Sequence, residues 1–498
     1  MSQGKWHGFL EVQITTRPNA PAMSDATGAR WTWRELGDAV SDATQMLHGA
    51  GVQAGDRVMI LSENSTATVA MLFGASRLGA VAVPFNARQT EAELARVIDH
   101  ATPAVIVATT AVSPDALAHA ERLGAAPVSG RFGTVHVVAR DSDPDADPDV
   151  AVLLYTTGTT GTPKGVMLTH DNLCFGGRTS ANLRGMTPED VIYGVLPVTH
   201  VFGLASVVTA ATYAGAHVRF EPRFSAAALY VALTDGVTLL SAVPQMHALL
   251  MQYTKEQGFD RLPSETLRYV SSGAAPLDPT WKRKAEAFYG VALQNGYGMT
   301  ETTAGVAATG NAIGDPDTSV GPALPGVEIS IDQTVEGGGD GAGEVLTRGP
   351  HIMKGYYRNP EETARVLDAD GWMHTGDLGC IDKKGHLHIL GRSKELIIHG
   401  GFNVYPPEVE AALNDHPSVI QSAVIGRQKN GDEQVLAFCQ VPEGSDLTPE
   451  VLRKFVAERL AGYKRPRHIV LATTLPAAPT GKLLKHKLIE AFADALPD

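Results

Sequence analysis

The stretch Val152-Leu-Leu-Tyr-Thr-Thr-Gly-Thr-Thr-Gly-Thr-Pro-Lys-Gly165 starts apolar, then gives ten residues holding five threonines, three glycines, a proline and a lysine. That change predicts a strand feeding a loop. Glycines let backbone N–H groups converge on an anion, threonine hydroxyls add donors, and Lys164 adds a full charge. The loop is therefore a candidate phosphate cradle. It is not a Walker loop, because Pro163-Lys164-Gly165 stands where Gly-Lys-Ser/Thr would be required. The plain alternative is a Thr/Gly surface loop, and the flanking chain has to decide between them.

At 498 residues the chain exceeds one ordinary core, and 44% apolar with 19% charged residues marks a globular protein. A net charge of −13, from 41 basic and 54 acidic side chains, argues against nucleic acid as a partner. Within that acidic chain, nine Lys/Arg face one acid, Glu458, between Val451 and Lys487. This is either a solvated basic face or a site for a polyanion. Cys174, Cys380 and Cys439 lie too far apart in sequence for a metal-ligand or disulfide pattern, which fits a reducing, cytoplasmic setting. The N-terminus lacks the pattern of a signal peptide. The longest apolar segment, 204–218, is broken by Ser206, Thr209 and Thr212 and predicts a buried helix, not a membrane span.

From residue 32 to 107 two capping boxes, Thr32-Trp-Arg-Glu35 and Thr90-Glu-Ala-Glu93, each open a helix. Apolar runs at 57–61, 80–83 and 104–107 read as buried strands between helices, implying a largely parallel sheet. The acidic, proline-broken segment 141–149 reads as a solvated linker. Further strands are expected at 191–196, 237–242 and 269–272, each ending in small or polar residues, and ligands bind beyond such carboxyl ends. A strand-rich part follows at 327–346, where the glycine run 337–343 predicts a hairpin turn. Beyond Gly391 a smaller α+β unit is expected: a helix from Pro406-Pro407, strands at 419–425 and 434–441, a helix from Thr448-Pro449, a strand at 468–471 and a last helix after Gly481.

Six motifs in order resemble the adenylate-forming superfamily of acyl-CoA synthetases, peptide-synthetase adenylation domains and luciferases, in its acyl- or aryl-CoA synthetase branch. They are the opening loop, Asn295-Gly-Tyr-Gly-Met-Thr-Glu301, Arg348-Gly-Pro-His-Ile-Met-Lys-Gly-Tyr-Tyr357 after Gly343-Glu344, Trp372-Met-His-Thr-Gly-Asp377, Gly391-Arg392 with Ile398-His-Gly-Gly-Phe-Asn403, and Pro479-Thr-Gly-Lys482. The resemblance implies an α/β fold. A large N-terminal domain, 1–393, of mixed and parallel sheets flanked by helices would carry a small β-rich subdomain, ATP and the acid. A small mobile α+β domain, 394–498, would turn about a hinge at Lys394.

The resemblance also implies roles. Thr156, Thr157, Gly158, Thr159, Thr160, Gly161 and Lys164 would hold the β- and γ-phosphates of ATP, and Glu301 would bind Mg2+. Tyr297 would stack on adenine, Thr300 would donate to the α-phosphate, and Asp377 with Arg392 nearby would bind the ribose. Lys482 would stabilise charge on the α-phosphate and the attacking carboxylate. After rotation, Gly400 and Gly401 would line a channel for the pantetheine of coenzyme A, with Lys464 and Arg465 at its phosphates. The bland readings are a helix-dipole contact for Glu301, a turn cap for Asp377 and a solvated lysine face around Lys482.

His200 falls where relatives carry a gating histidine, although Thr199 replaces their frequent aromatic, and His399 stands where the Gly-Gly loop often has serine. Val243, Gly273, Ala274 and Gly296 would line an uncharged acid pocket suited to a monocarboxylic acid with an apolar body, aryl, arylpropenoic or medium-chain fatty. The expected enzyme is an ATP- and Mg2+-dependent acyl-CoA synthetase, an acid–thiol ligase acting on small molecules, with no integral membrane association. The resemblance leaves a homodimer open. Alternatives are an adenylating enzyme that loads a carrier protein, a luciferase-type oxygenase and a catalytically silent acyl- or nucleotide-binding sensor.

Overall fold

All six side chains of the strand Arg57–Ser62 are buried. Val58 and Ile60 point into one apolar cluster while Met59 and Leu61 point into another. A strand covered on both faces is what an uninterrupted apolar run produces inside a helix-flanked parallel sheet. The structure, a computed structural model, describes residues 4–141, 147–156, 163–273, 277–303, 305–336, 338–399, 402–429, 432–477 and 483–496.

Arg57–Ser62 lies inside an eight-stranded sheet, parallel to Val81–Asn86 and Val105–Ala108, with Val150–Thr156 parallel to Val81–Asn86. A second eight-stranded sheet runs parallel through Leu293–Tyr297, Tyr269–Ser272, Leu239–Ala242, Val191–Gly194, His217–Phe220 and Pro21–Ser24. Apolar residues from both sheets share one core with the helices Trp33–Gly49, Thr66–Arg77 and His170–Leu183. Glu328–Asp332, Ala342–Arg348, Met373–Ile381 and Leu387–Arg392 form a smaller antiparallel sheet. From Ile397 onward a three-stranded sheet, the helices Pro406–Asn414 and Pro449–Ala457, and two apolar clusters of their own make a small α+β domain.

Both predicted capping boxes form: Thr32 accepts from Glu35 N–H and Thr90 from Glu93 N–H, each with the reciprocal glutamate contact. Asp332 pairs with Glu344 across the expected hairpin, whose Gly337 lies outside the described residues. The helix expected over 204–218 is shorter. A π-helical turn, Leu204–Thr209, continues into Ala210–Ala214, and Gly215 at φ 77° ends it, so that Val218 belongs to a strand. Glycine accepts that left-handed geometry without a Cβ clash. The last helix, expected after Gly481, spans Leu488–Ala491. In the acidic linker Asp147 is not merely solvated: it holds Lys354 at 2.6 Å. Among the described residues no helix is long and apolar enough to cross a membrane.

Candidate active site

The strands Val191–Gly194, Leu239–Ala242, Tyr269–Ser272 and Leu293–Tyr297 deliver their carboxyl ends to one cleft, which residues of the small domain also line. The loop after the first of them carries His200 and is held from the other sheet. Buried Asn64 donates to the carbonyls of Gly194 (2.9 Å) and Leu196 (3.0 Å) and accepts from Val198 N–H (2.8 Å). His200 then accepts the Phe202 N–H at Nδ1, at 3.3 Å, and opens the following helix. Gly203 follows because a Cβ there would lie 2.2 Å from the Pro197 carbonyl oxygen.

Phe202 lies across Gly273, where an added Cβ would meet its ring at 2.8 Å. Gly296, in the neighbouring strand, backs onto the Ala307 carbonyl, 3.2 Å from where a Cβ would sit. With half-buried Val243, these residues leave room beside His200 bounded by apolar side chains and bare backbone. Ala274 lies outside the described residues.

Lys164 and Thr156 face each other at the mouth of the hairpin whose connection is 157–163. Thr157, Gly158, Thr159, Thr160 and Gly161 themselves lie outside the described residues. Lys164 forms an ion pair with Glu362, and its ammonium stands 5.2 Å from the Tyr356 ring centroid. The hydroxyl of that ring donates to Glu301 Oε1 at 2.9 Å. Glu301 is buried in the turn Thr300–Thr302 beside buried Thr300, and its backbone oxygen accepts from Met353 N–H. Lysine contact holds the Glu362 carboxyl below the usual carboxylate range. Burial, then the Glu301 charge, pushes the Tyr356 hydroxyl upward, so it stays a neutral donor.

On the other side of the cleft the Tyr297 hydroxyl donates to Asp377 Oδ2 at 2.6 Å, and Arg392 Nε lies 3.2 Å from Asp377 Oδ1. Asp377 and Arg392 are register partners in the smaller antiparallel sheet, so strand pairing places them together. Burial first, and the Asp377 charge second, hold the Tyr297 hydroxyl well above the ordinary range. The residue is half-buried and lines the cleft. Glu301 fits Mg2+: its Oε1 is taken by Tyr356, and one carboxylate oxygen completed by phosphate oxygens and water is a common site for that ion.

Lys394 is exposed in the short turn Ser393–Glu395 between the two domains. Lys464 pairs with Glu408 at 2.5 Å, and Arg465 donates to the carbonyls of Leu460 and Ala457 at 2.9 and 2.8 Å, closing the end of a helix. Arg465 thus has a structural partner set that its basic sequence context did not announce. Lys482, Gly400 and Gly401 lie outside the described residues. Sequence reasoning also missed Asn64, Tyr356 and Glu362. Tyr356 sat in a quoted motif without a role, while Asn64 and Glu362 carried no local signal.

The chain matches two family models in order, AMP-binding enzyme over residues 10–357 and AMP-binding enzyme C-terminal domain over residues 408–482. It is 33% identical to 4-coumarate–CoA ligase 2 of Oryza sativa subsp. japonica, over 97% of this chain and 91% of that protein. It is equally 33% identical to a feruloyl-CoA synthase of an Amycolatopsis species, over 95% and 96% of the two chains. Among solved structures, ATP-bound MatB from Rhodopseudomonas palustris superposes with a TM-score of 0.84 at 32% identity, covering 99% of each chain.

Proposed function

The chain belongs to the AMP-binding enzyme family, and from that premise we propose that it joins an aryl or arylpropenoic acid to coenzyme A through an acyl-adenylate. It is an acid–thiol ligase of the AMP-forming kind. The observation that carries the site assignment is the convergence on one cleft of the Lys164–Tyr356–Glu301 chain and the Tyr297–Asp377–Arg392 group. A cation and a metal-type carboxylate stand on one side, and a diol-type carboxylate with its arginine stands on the other. A nucleoside triphosphate requires that pairing.

A carboxylate needs no general base, being ionised at neutral pH. Its oxygen attacks the α-phosphorus, the bond to the β-phosphate oxygen breaks, and pyrophosphate leaves. The residues must therefore align the groups and neutralise charge. Lys164, Thr156 and the 157–163 loop grip the departing pyrophosphate, and Thr300 donates to the α-phosphate. Asp377 takes the ribose hydroxyls, fixed by Tyr297 and Arg392. Glu301 would hold Mg2+, which would offset phosphate charge there. Lys482 stabilises the pentavalent arrangement.

The small domain, 394–498, then turns about Lys394. The thiol attacks the acyl carbon, AMP leaves, and Gly400 and Gly401 make room for pantetheine, with Lys464 near the CoA phosphates. The acid lies beside His200 over Gly273 and Gly296. The names of the relatives and the bare, apolar pocket support an aryl body over a linear one.

The decisive experiment separates the half-reactions. Lys482→Ala should abolish acid-dependent pyrophosphate release yet leave CoA attack on a pre-formed acyl-adenylate largely intact, and retention of both rates would refute the assignment. A panel of benzoic, arylpropenoic and medium-chain acids, assayed with and without CoA, identifies the substrate class. Pyrophosphate release without acid dependence would sink the ligase reading at this site.

A further inference from the structure

The helix His170–Leu183 ends at Arg184, which is only 8% exposed and lines the same cleft as His200, Phe202 and Gly273. Its Nη1 donates to the Ser206 carbonyl at 2.5 Å, and its guanidinium carbon lies 5.7 Å from the Tyr269 ring centroid. Buried Nε has no partner, and among the described residues no carboxylate pairs with this side chain. Asp190 is occupied elsewhere: Arg268 takes both of its oxygens and donates to the Arg184 carbonyl as well. An arginine is a permanent cation, and a buried cation without a counter-charge is costly. A bound anion would complete the site.

Strand geometry puts Arg184 at the inner end of the acid pocket. Val270 packs into one apolar cluster with Leu240, whereas Tyr269 packs against the other. Alternation then sets Tyr269, Ser271 and Gly273 on one face, and all three line the cleft. Gly273, against Phe202, is the outer position; Ser271 is the middle one; Tyr269, with Arg184 over its ring, is the innermost. Four residues of strand cover about 13 Å. The facing wall follows the same order. Phe202 is succeeded by Ser206 in the π-helical turn, and Ser206 accepts from Ser180 Oγ at 3.1 Å while its carbonyl takes Arg184. The pocket is therefore apolar beside His200 and becomes polar farther in, where Ser180, Arg184, Ser206 and Ser271 line it.

We propose that the acid carries a second carboxylate at the far end of its ring, and that Arg184 recognises it. This rests on the reading above that an aryl or arylpropenoic acid lies beside His200 over Gly273. With the reacting carboxylate turned to the phosphates, a substituent at the opposite end of the ring meets Ser271 and then Arg184. The depth of the pocket suits an arylpropenoic skeleton, one para substituent and a hydrogen bond. A para hydroxyl would accept an N–H yet leave the guanidinium charge uncompensated. A carboxylate supplies the counter-charge and two acceptor oxygens in the planar form that a guanidinium fork matches.

The test compares cinnamic, 4-hydroxycinnamic and 4-carboxycinnamic acids, with a medium-chain fatty acid beside them, by acid-dependent pyrophosphate release from the whole chain. The unsubstituted enzyme should favour 4-carboxycinnamic over cinnamic acid by about tenfold to a hundredfold in kcat/KM, the worth of a charge-assisted hydrogen-bonded pair. Arg184→Met keeps the reach of the side chain and removes its charge. It should erase that preference through the KM for the acid, while the KM for ATP and kcat/KM for cinnamic acid stay within about threefold. Arg184→Lys, a cation without the fork, should keep part of the preference. An unsubstituted enzyme that takes cinnamic or 4-hydroxycinnamic acid as well as the dicarboxylic acid would overturn the proposal, and that comparison needs no variant to fold. Equal loss for every acid in Arg184→Met would make the arginine a structural group and overturn it too. If the fatty acid reacts and no aryl acid does, the aryl reading fails and takes this inference with it. If aryl acids react without regard to the para group, only the recognition by Arg184 fails.

Discussion

The hydroxyl of Tyr356 lies 2.9 Å from Glu301 Oε1, and the same ring has the Lys164 ammonium 5.2 Å from its centroid. The tyrosine therefore joins the metal-type carboxylate to the phosphate-type lysine. Strand pairing fixes it there, because Tyr356 is the register partner of Val166, two residues beyond Lys164. Tyr356→Phe keeps the ring and deletes one hydrogen bond to a carboxylate, an interaction of roughly 1.5–3 kcal/mol. The Mg2+ concentration that half-saturates pyrophosphate release should rise by about tenfold, at a kcat reduced less. An unchanged Mg2+ dependence would detach Tyr356 from the site.

Asp377 receives both Tyr297 and Arg392, and its two partners act on different oxygens. Asp377→Asn should raise the KM for ATP more than Tyr297→Phe does, because the amide loses the charge and one acceptor and turns an N–H group on either the Tyr297 hydroxyl or Arg392. The double variant should fall short of the sum by about 0.5–3 kcal/mol, as groups in direct contact do. Additive KM effects would show that the tyrosine serves adenine alone.

Phe202 and Gly273 touch so closely that a methyl on Gly273 would meet the ring at 2.8 Å. Gly273→Ala should push the ring into the acid pocket and depress kcat/KM for arylpropenoic acids by about tenfold, the scale of a missing methylene's worth of space or somewhat more. Removing the ring in Gly273→Ala/Phe202→Ala should recover part of the loss. If the second substitution deepens it instead, Phe202 contributes contact to the acid and does not merely bound it.

The elements legible in sequence were those whose cause is local. Thr32-Trp-Arg-Glu35 contains both halves of its capping box, and the run at residue 57 carries its own burial signal on both faces. Segment 204–218 was less legible because the stop at Gly215 depends on the sharp turn into a strand that pairs with Val191–Gly194. At the site, Glu301, Asp377 and Lys164 were visible through motif order, whereas their partners were set by pairing between remote strands. Glu362 meets Lys164 across 198 residues, and Asn64 pins the His200 loop from the opposite sheet. Arg465 has a further use that its basic neighbourhood did not announce: the nearby carbonyls of Ala457 and Leu460 take two of its five donors.

His170 ties the first helix to the large core. Its Nδ1 accepts the Trp6 N–H at 3.2 Å, while the Trp6 indole donates to Thr209 at 3.0 Å. An imidazole that accepts at Nδ1 cannot carry a proton there, so acid breaks this contact. Burial, reinforced by Lys5 and His7, pushes the His170 pKa down to about 4. The unfolded chain takes up this proton near pH 6.5, so between about 6.5 and 4 it binds more protons than the folded one, and stability falls as pH falls. The contribution is complete above about 6.5 and lost through the folded value, amounting to about 3 kcal/mol for this shift. Buried His247 and His351, also held down to about 4, add to the same slope. His170→Asn retains an acceptor near the Nδ1 position and removes the titration. The pKa values of His7, His100, His217, His416 and His468 are lowered as well, so the drop in Tm between pH 7 and pH 5 should shrink in the variant by less than about a third. A drop equal to that of the unsubstituted protein would place the acid sensitivity elsewhere than at the Trp6–His170 contact.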